Sequence, residues 1–306
     1  QTSSSTEQVL MVATFGDFVV AARGEKIFTA TAGGSSWTER DTGRTSAGTY
    51  AFERFNFDGN NKLIVVDGAN APTVFNTSMS ATDVSESSVA GSKFVTAFKS
   101  HMFYAGKSST PQTLVFSVPF DEDDFTTGSG AGSIKVDDTI TGLKVFRDNL
   151  FIFCENRIFK LSGSTSSDFA VSAVTRDIGC INGNTIQEFA GDLIFLGPDG
   201  LRTVAGTARI GDVEIGTISS NVQSIFDDNL SSASEFSELR GIKPASTDSF
   251  VKAGDVIVLH GDYSNGFVYR QESGNTFDGT AILAKYRSPD MTFGDAGIRK
   301  HMQRVI

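Results

Sequence analysis

Cysteine, proline and histidine are all scarce in this chain. Two cysteines, Cys154 and Cys180, make no disulfide framework, and a reducing place of assembly fits them. The three histidines, His101, His260 and His301, stand far apart, with no metal-ligand spacing and no Cys-x-x-Cys beside them. Each reads as a strand or surface residue, and no metal or cofactor is expected. No apolar run approaches the roughly 18–20 residues that span a membrane. No signal peptide opens the chain. Basic residues are the minority, 26 Lys and Arg against 36 Asp and Glu, for a formal charge of −10 over 306 residues. Such a chain is a poor candidate for gripping phosphates, which Lys and Arg bind by releasing counterions. The acidity reads as solubility or as a surface that repels nucleic acid. The first residue is not Met, and the last three, Arg304-Val305-Ile306, read as mid-strand. Both ends are expected to be trimmed from a longer polypeptide.

Phenylalanine (26) and glycine (31) are plentiful, and Phe, Val and Ile runs alternate with Gly, Asp and Asn. That texture predicts an all-β chain with many tight turns. It is organised by a repeat of apolar strand, turn and apolar strand. Copies run from Phe15 through Gly16-Asp17 to Phe28, and from Phe57 to Phe75. Others span Phe98 to Gly106, Phe146 to Phe159, Phe189 to Leu201, and Ala253 to Tyr269. The first apolar residues after each turn, Phe18, Leu63, Met102, Leu150, Leu193 and Val256, are 45, 39, 48, 43 and 63 residues apart. Steps of about 40–50 residues are the size of a propeller blade. Pairs such as Asp148-Asn149 and Gly16-Asp17 offer the positive φ that hairpins need. Second strands such as Leu150 to Phe153 are apolar throughout, as strands buried on both faces are.

The long fifth step contains Ile218, Val222, Ile225 and Phe226, a helical stripe that Ser219 or Ser220 can cap. The expected architecture is therefore all-β: a β-propeller of about six blades over residues 11–270, with a short helix insertion. Residues 1–10 and 271–306 are expected to supply strands of a second, platform-like β domain.

Chemistry-bearing motifs are few. Gly197-Pro198-Asp199-Gly200 lacks the Gly-Lys-Ser/Thr of a phosphate loop and reads as a tight turn. Asp121-Glu122-Asp123-Asp124 clusters carboxylates as a calcium site does, without the alternating spacing of a known loop, and reads as a solvated loop. Ala32 to Trp37 resembles an Asp-box hairpin in which Ala32 stands where the motif wants Asp, and that motif is structural even when complete. No nucleophile–base pair is present in sequence, so no catalytic residue is assigned.

Several segments in order resemble the propeller proteins of phage tails, of the nozzle or tail tubular B type. They are Val115-Phe116-Ser117 with Asp121 and Asp124-Phe125; Gly130 to Ile134; Asp138 to Leu143; and Arg157 to Gly163. Asp177-Ile178-Gly179-Cys180, Leu196 to Leu201, Ile218-Ser219, Tyr286 to Pro289, Phe293-Gly294 and Arg299-Lys300 follow. The resemblance spans roughly residues 100–306 and, more loosely, 11–100. It implies a structural, non-enzymatic virion protein that assembles in the host cytoplasm. It also implies a homohexameric ring at the end of a short tail, a tail adaptor and other tail proteins such as fibres as partners, and DNA passing through without specific binding. Acidic loops at Asp121, Glu122, Asp123 and Asp124, and at Asp227 and Asp228, are the candidates for facing that channel. Two other readings stay open. One is a carbohydrate-binding or glycan-hydrolysing propeller, which wants aromatic platforms where this chain has one Trp. The other is a cellular scaffold, which wants regular blade signatures such as Trp-Asp.

Overall fold

The computed structural model describes residues 9–31, 36–45, 49–189 and 191–204, and the backbone of strands at 247–252, 255–261, 268–270, 276–277 and 280–281. The helical stripe from Ile218 to Phe226, the Gly33 and Gly34 of the hairpin motif, and Asp227 and Asp228 lie outside the described residues. The chain divides into two compact units, Gln1–Gln271 and Glu272–Ile306. The second is described by one two-stranded hairpin, Thr276–Phe277 with Thr280–Ala281.

The first unit is a β-propeller, and six sheets follow one another along its described residues. The first blade is β1 (Val9–Phe15), β2 (Phe18–Arg23), β3 (Lys26–Thr31) and β4 (Thr38–Asp41). The second is β5 (Ala51–Phe55), β6 (Lys62–Val66), β7 (Thr73–Phe75) and β8 (Ala81–Asp83). The third is β9 (Phe94–Phe98), β10 (His101–Ala105), β11 (Thr113–Phe116) and β12 (Gly132–Lys135). The fourth is β13 (Ile140–Phe146), β14 (Asn149–Cys154), β15 (Ile158–Ser162) and β16 (Ala170–Thr175). The fifth is β17 (Gln187–Phe189), β18 (Asp192–Gly197) and β19 (Gly200–Thr203), and the sixth β20 (Thr247–Lys252), β21 (Asp255–Gly261) and β22 (Val268–Arg270). Every sheet is an antiparallel meander in chain order. β20 lies beside β1, so the sixth blade meets the first. Among the described residues no helix is long and apolar enough to cross a membrane.

The all-apolar second strands follow from this stacking. Side chains alternate across a strand, and each inner blade has a neighbour on both faces. On β6, Leu63 and Val65 join the core shared with the first blade, beside Met11, Phe15 and Ile27. Ile64 and Val66 join the core shared with the third blade, beside Met102 and Tyr104. On β14, Leu150, Ile152 and Cys154 face the third blade and Phe151 and Phe153 face the fifth. A run that is apolar at every position therefore fills two cores at once.

One hairpin turn differs from the sequence expectation, and a second shares its geometry. Positive φ falls on Lys99 and Ser100 (48° and 64°) and on Arg147 and Asp148 (45° and 62°). The Asp148-Asn149 pair is thus out of phase by one: Asn149 already begins β14, and its side-chain amide donates to the Arg147 carbonyl at 2.8 Å. These turns also link blades. Lys99 pairs with Asp148 of the next blade, and Arg147 donates to the Gly191 carbonyl of the one after. Gly197-Pro198-Asp199-Gly200 is a two-residue hairpin between β18 and β19, with Asp199 paired to Arg202.

Candidate functional site: an axial cleft

The first strand of each blade lies innermost, so β5, β9 and β13 stand side by side. Between them runs a cleft of about 310 Å³, lined by Phe52, Glu53, Thr96, Lys144 and Asn184 among others. It shares Phe94, Gly183 and Asn184 with an upper cleft of about 340 Å³, whose wall includes Lys93 and Glu155. Each tier therefore holds one acid and one base. None of these four charges makes an ion pair with a described residue. Glu53 is half-buried, and burial pushes its carboxyl up to about 7 against the pull of Lys144 and the Ala97 amide. Sequence reasoning passed over these residues, because the inward direction on an inner strand is set by the ring and not by neighbours in sequence.

The acidic loop lies elsewhere, between β11 and β12, as a jointed connection. Glu122 is buried, and its carboxylate accepts from Lys62 of the second blade at 2.7 Å. Its carbonyl accepts from the Tyr104 hydroxyl at 3.0 Å. Asp121 takes the Asp123 amide at 3.2 Å, and Asp124 takes the Thr126 amide at 2.8 Å. Hydrogen bonding to Asp121, then burial, raises the Asp123 carboxyl to about 6, since two adjacent carboxylates resist ionising together. Among the described residues no group of three or more His, Cys, Asp or Glu is placed to hold a metal ion.

The three histidines stay separate. His101 is buried on β10, with Nδ1 2.6 Å from the Ser117 carbonyl and its ring edge-on to Phe103, Phe116 and Phe169. His260 lies on β21, and His301 lies outside the described residues.

No protein-family model matches the sequence, and no curated protein matches it. Solved structures do resemble the fold. The extracellular domain of BT4673 from B. thetaiotaomicron, described as a one component system, superposes with a TM-score of 0.51 at 12% identity. The match covers 87% of this chain and 33% of that one. PorZ, a bacterial surface component of the type-IX secretion system of Porphyromonas gingivalis, gives 0.42 at 12% identity, over 65% of this chain and 27% of that one. The likeness is one of fold. This chain spans about a third of the BT4673 domain's length.

Proposed function

We propose that this propeller is a structural subunit of a phage tail nozzle, a homohexameric ring that closes a short tail and conducts DNA during genome ejection. One observation supports the reading: several described residues in the segments that resemble tail propellers stand at joints between or within blades. Ser117 accepts the Met102 amide at 3.0 Å, and Asp138 ties the Asn156 amide to the base of β13 at 2.7 Å. Cys180 donates its amide to the Cys154 carbonyl at 2.8 Å, and Ile181 donates to Leu196 at 3.0 Å. Segments that tie blades rigidly together suit a part that bears load. The subunit then belongs to the virion, is assembled in the host cytoplasm, and meets a tail adaptor. Six copies carry about sixty excess negative charges before counterions, a field that favours passage of DNA over its capture. Electron microscopy of the full-length chain tests this: six-fold rings are expected, and persistent monomers reject it.

A second reading is favoured by the axial cleft, whose carboxyl, amine and amide groups suit a host glycan. It predicts saturable glycan binding by a monomer.

A further inference from the structure

We infer that the axial cleft binds a small zwitterion, a compound carrying one amine and one carboxylate, either free or borne on a sugar. The inference is independent of the ring, because the charged residues that carry it all belong to one chain.

Three observations point to this ligand. First, the cleft presents opposite charges from different blades: Glu53 from β5 and Lys144 from β13 below, Lys93 and Glu155 above. Second, no described side chain forms an ion pair with any of the four, although the same protein pairs Lys62, Lys99 and Arg157 elsewhere. Glu53 and Lys144 are half-buried and lose part of their hydration, which a ligand of opposite sign restores. Third, the lower cleft's volume sits at the small end of ligand sites, and its lining is mostly polar, with Phe52 and Phe94 as its aromatic members. Glu53 and Lys144 attract one another without closing into an ion pair, so each is free to take a ligand group of opposite sign. A zwitterion answers both. The raised Glu53 carboxyl adds a pH signature: the site holds an amine only once Glu53 ionises, so affinity falls as pH drops below about 7.

Calorimetric titration of the intact chain tests the inference. The probes are glycine, 4-aminobutyrate, 6-aminohexanoate and muramic acid, with hexanoate, 6-aminohexanamide and glucose as controls. At least one zwitterion is expected to bind with Kd of about 1 mM or tighter. The singly charged and neutral controls should bind at least about tenfold more weakly, a difference of about 1.4 kcal/mol. Glu53→Gln and Lys144→Met should each weaken binding about tenfold or more, while Lys144→Arg retains most of it. Muramic acid binding without the free amino acids assigns the ligand to a glycan, and the reverse assigns it to a free solute. No saturation by any zwitterion overturns the inference. So does equal binding of glucose or hexanoate, or binding unchanged in both folded variants. Circular dichroism of each variant separates lost binding from lost fold.

Discussion

Between its first and second blades the chain buries an arginine, whereas between its fourth and fifth it removes side chains. Arg44 is almost wholly covered and donates to Asp67 at 2.9 Å, Thr73 at 2.6 Å and Asp41 at 2.5 Å, with Tyr50 beside it. Burial opposes the guanidinium charge, but Asp67 and Asp41 outweigh it, so its pKa lies above the ordinary value. At the other joint Gly183 meets Gly142 and the Thr141 carbonyl so closely that a Cβ would run into backbone, and Gly179 does the same against Cys154 and Glu155. Thr141 donates to the Cys180 carbonyl at 2.7 Å across the same seam. The first joint is specified by partners and the second by fit, so they should fail differently.

The largest effect is expected at the ionic joint. Arg44→Met strips buried Asp67 of its ion partner and leaves it only the Asn70 and Ala69 hydrogen bonds, which should cost about 3–5 kcal/mol. Adding Asp67→Leu should recover part of that loss in chemical denaturation, because the stranded charge is gone. At the seam, Gly183→Ala forces backbone apart and should cost about 1–3 kcal/mol, with no second substitution at a charged site restoring it. Equal rescue at both joints would erase the distinction.

The cleft should respond to pH where the joints do not. Glu53 has a folded-state pKa of about 7, above its usual 4.5. A raised carboxyl contributes stability that is full below about 4.5 and is lost as pH rises through about 7. The change is on the order of 2 kcal/mol, at about 1.4 kcal/mol per unit with allowance for partial exposure. Glu53→Gln should flatten that slope in unfolding measured from pH 4 to 8. The Asp67 carboxyl is held low, chiefly by Asn70 against the cost of burial, so its contribution should disappear only in acid below about pH 4. The smallest effect is at the exposed link: Lys99→Ala should cost about 0.2–1 kcal/mol, measured in the same way.

The blade repeat was legible because its signal is local. Phe18, Leu63, Leu150 and Leu193 each follow a turn and begin an apolar strand, and strand alternation does the rest. The fifth blade's turn at Pro198-Asp199 was legible for the same reason. Arg44 was not: Asp41 is near in sequence, but the partners that bury it, Asp67 and Thr73, lie 23 and 29 residues away. His101 looked like a strand residue, and its cage depends on Phe169 from the next blade. The acidic run from Asp121 to Asp124 read as one solvated loop. In the fold Glu122 leaves the run to pair with Lys62, sixty residues earlier. Glu53 and Lys144 came together only because three inner strands stand side by side.

Assembly of joint and cleft variants tests most directly whether the joints, rather than the cleft, carry the function. The full-length chain, Gly183→Ala and Glu53→Gln would be compared by particle mass and electron microscopy. The account predicts six-fold rings for the full-length chain and for Glu53→Gln, and loss of rings for Gly183→Ala at temperatures where its blades remain β-structured. Monomers from the full-length chain, or rings lost with Glu53→Gln and kept with Gly183→Ala, would contradict it.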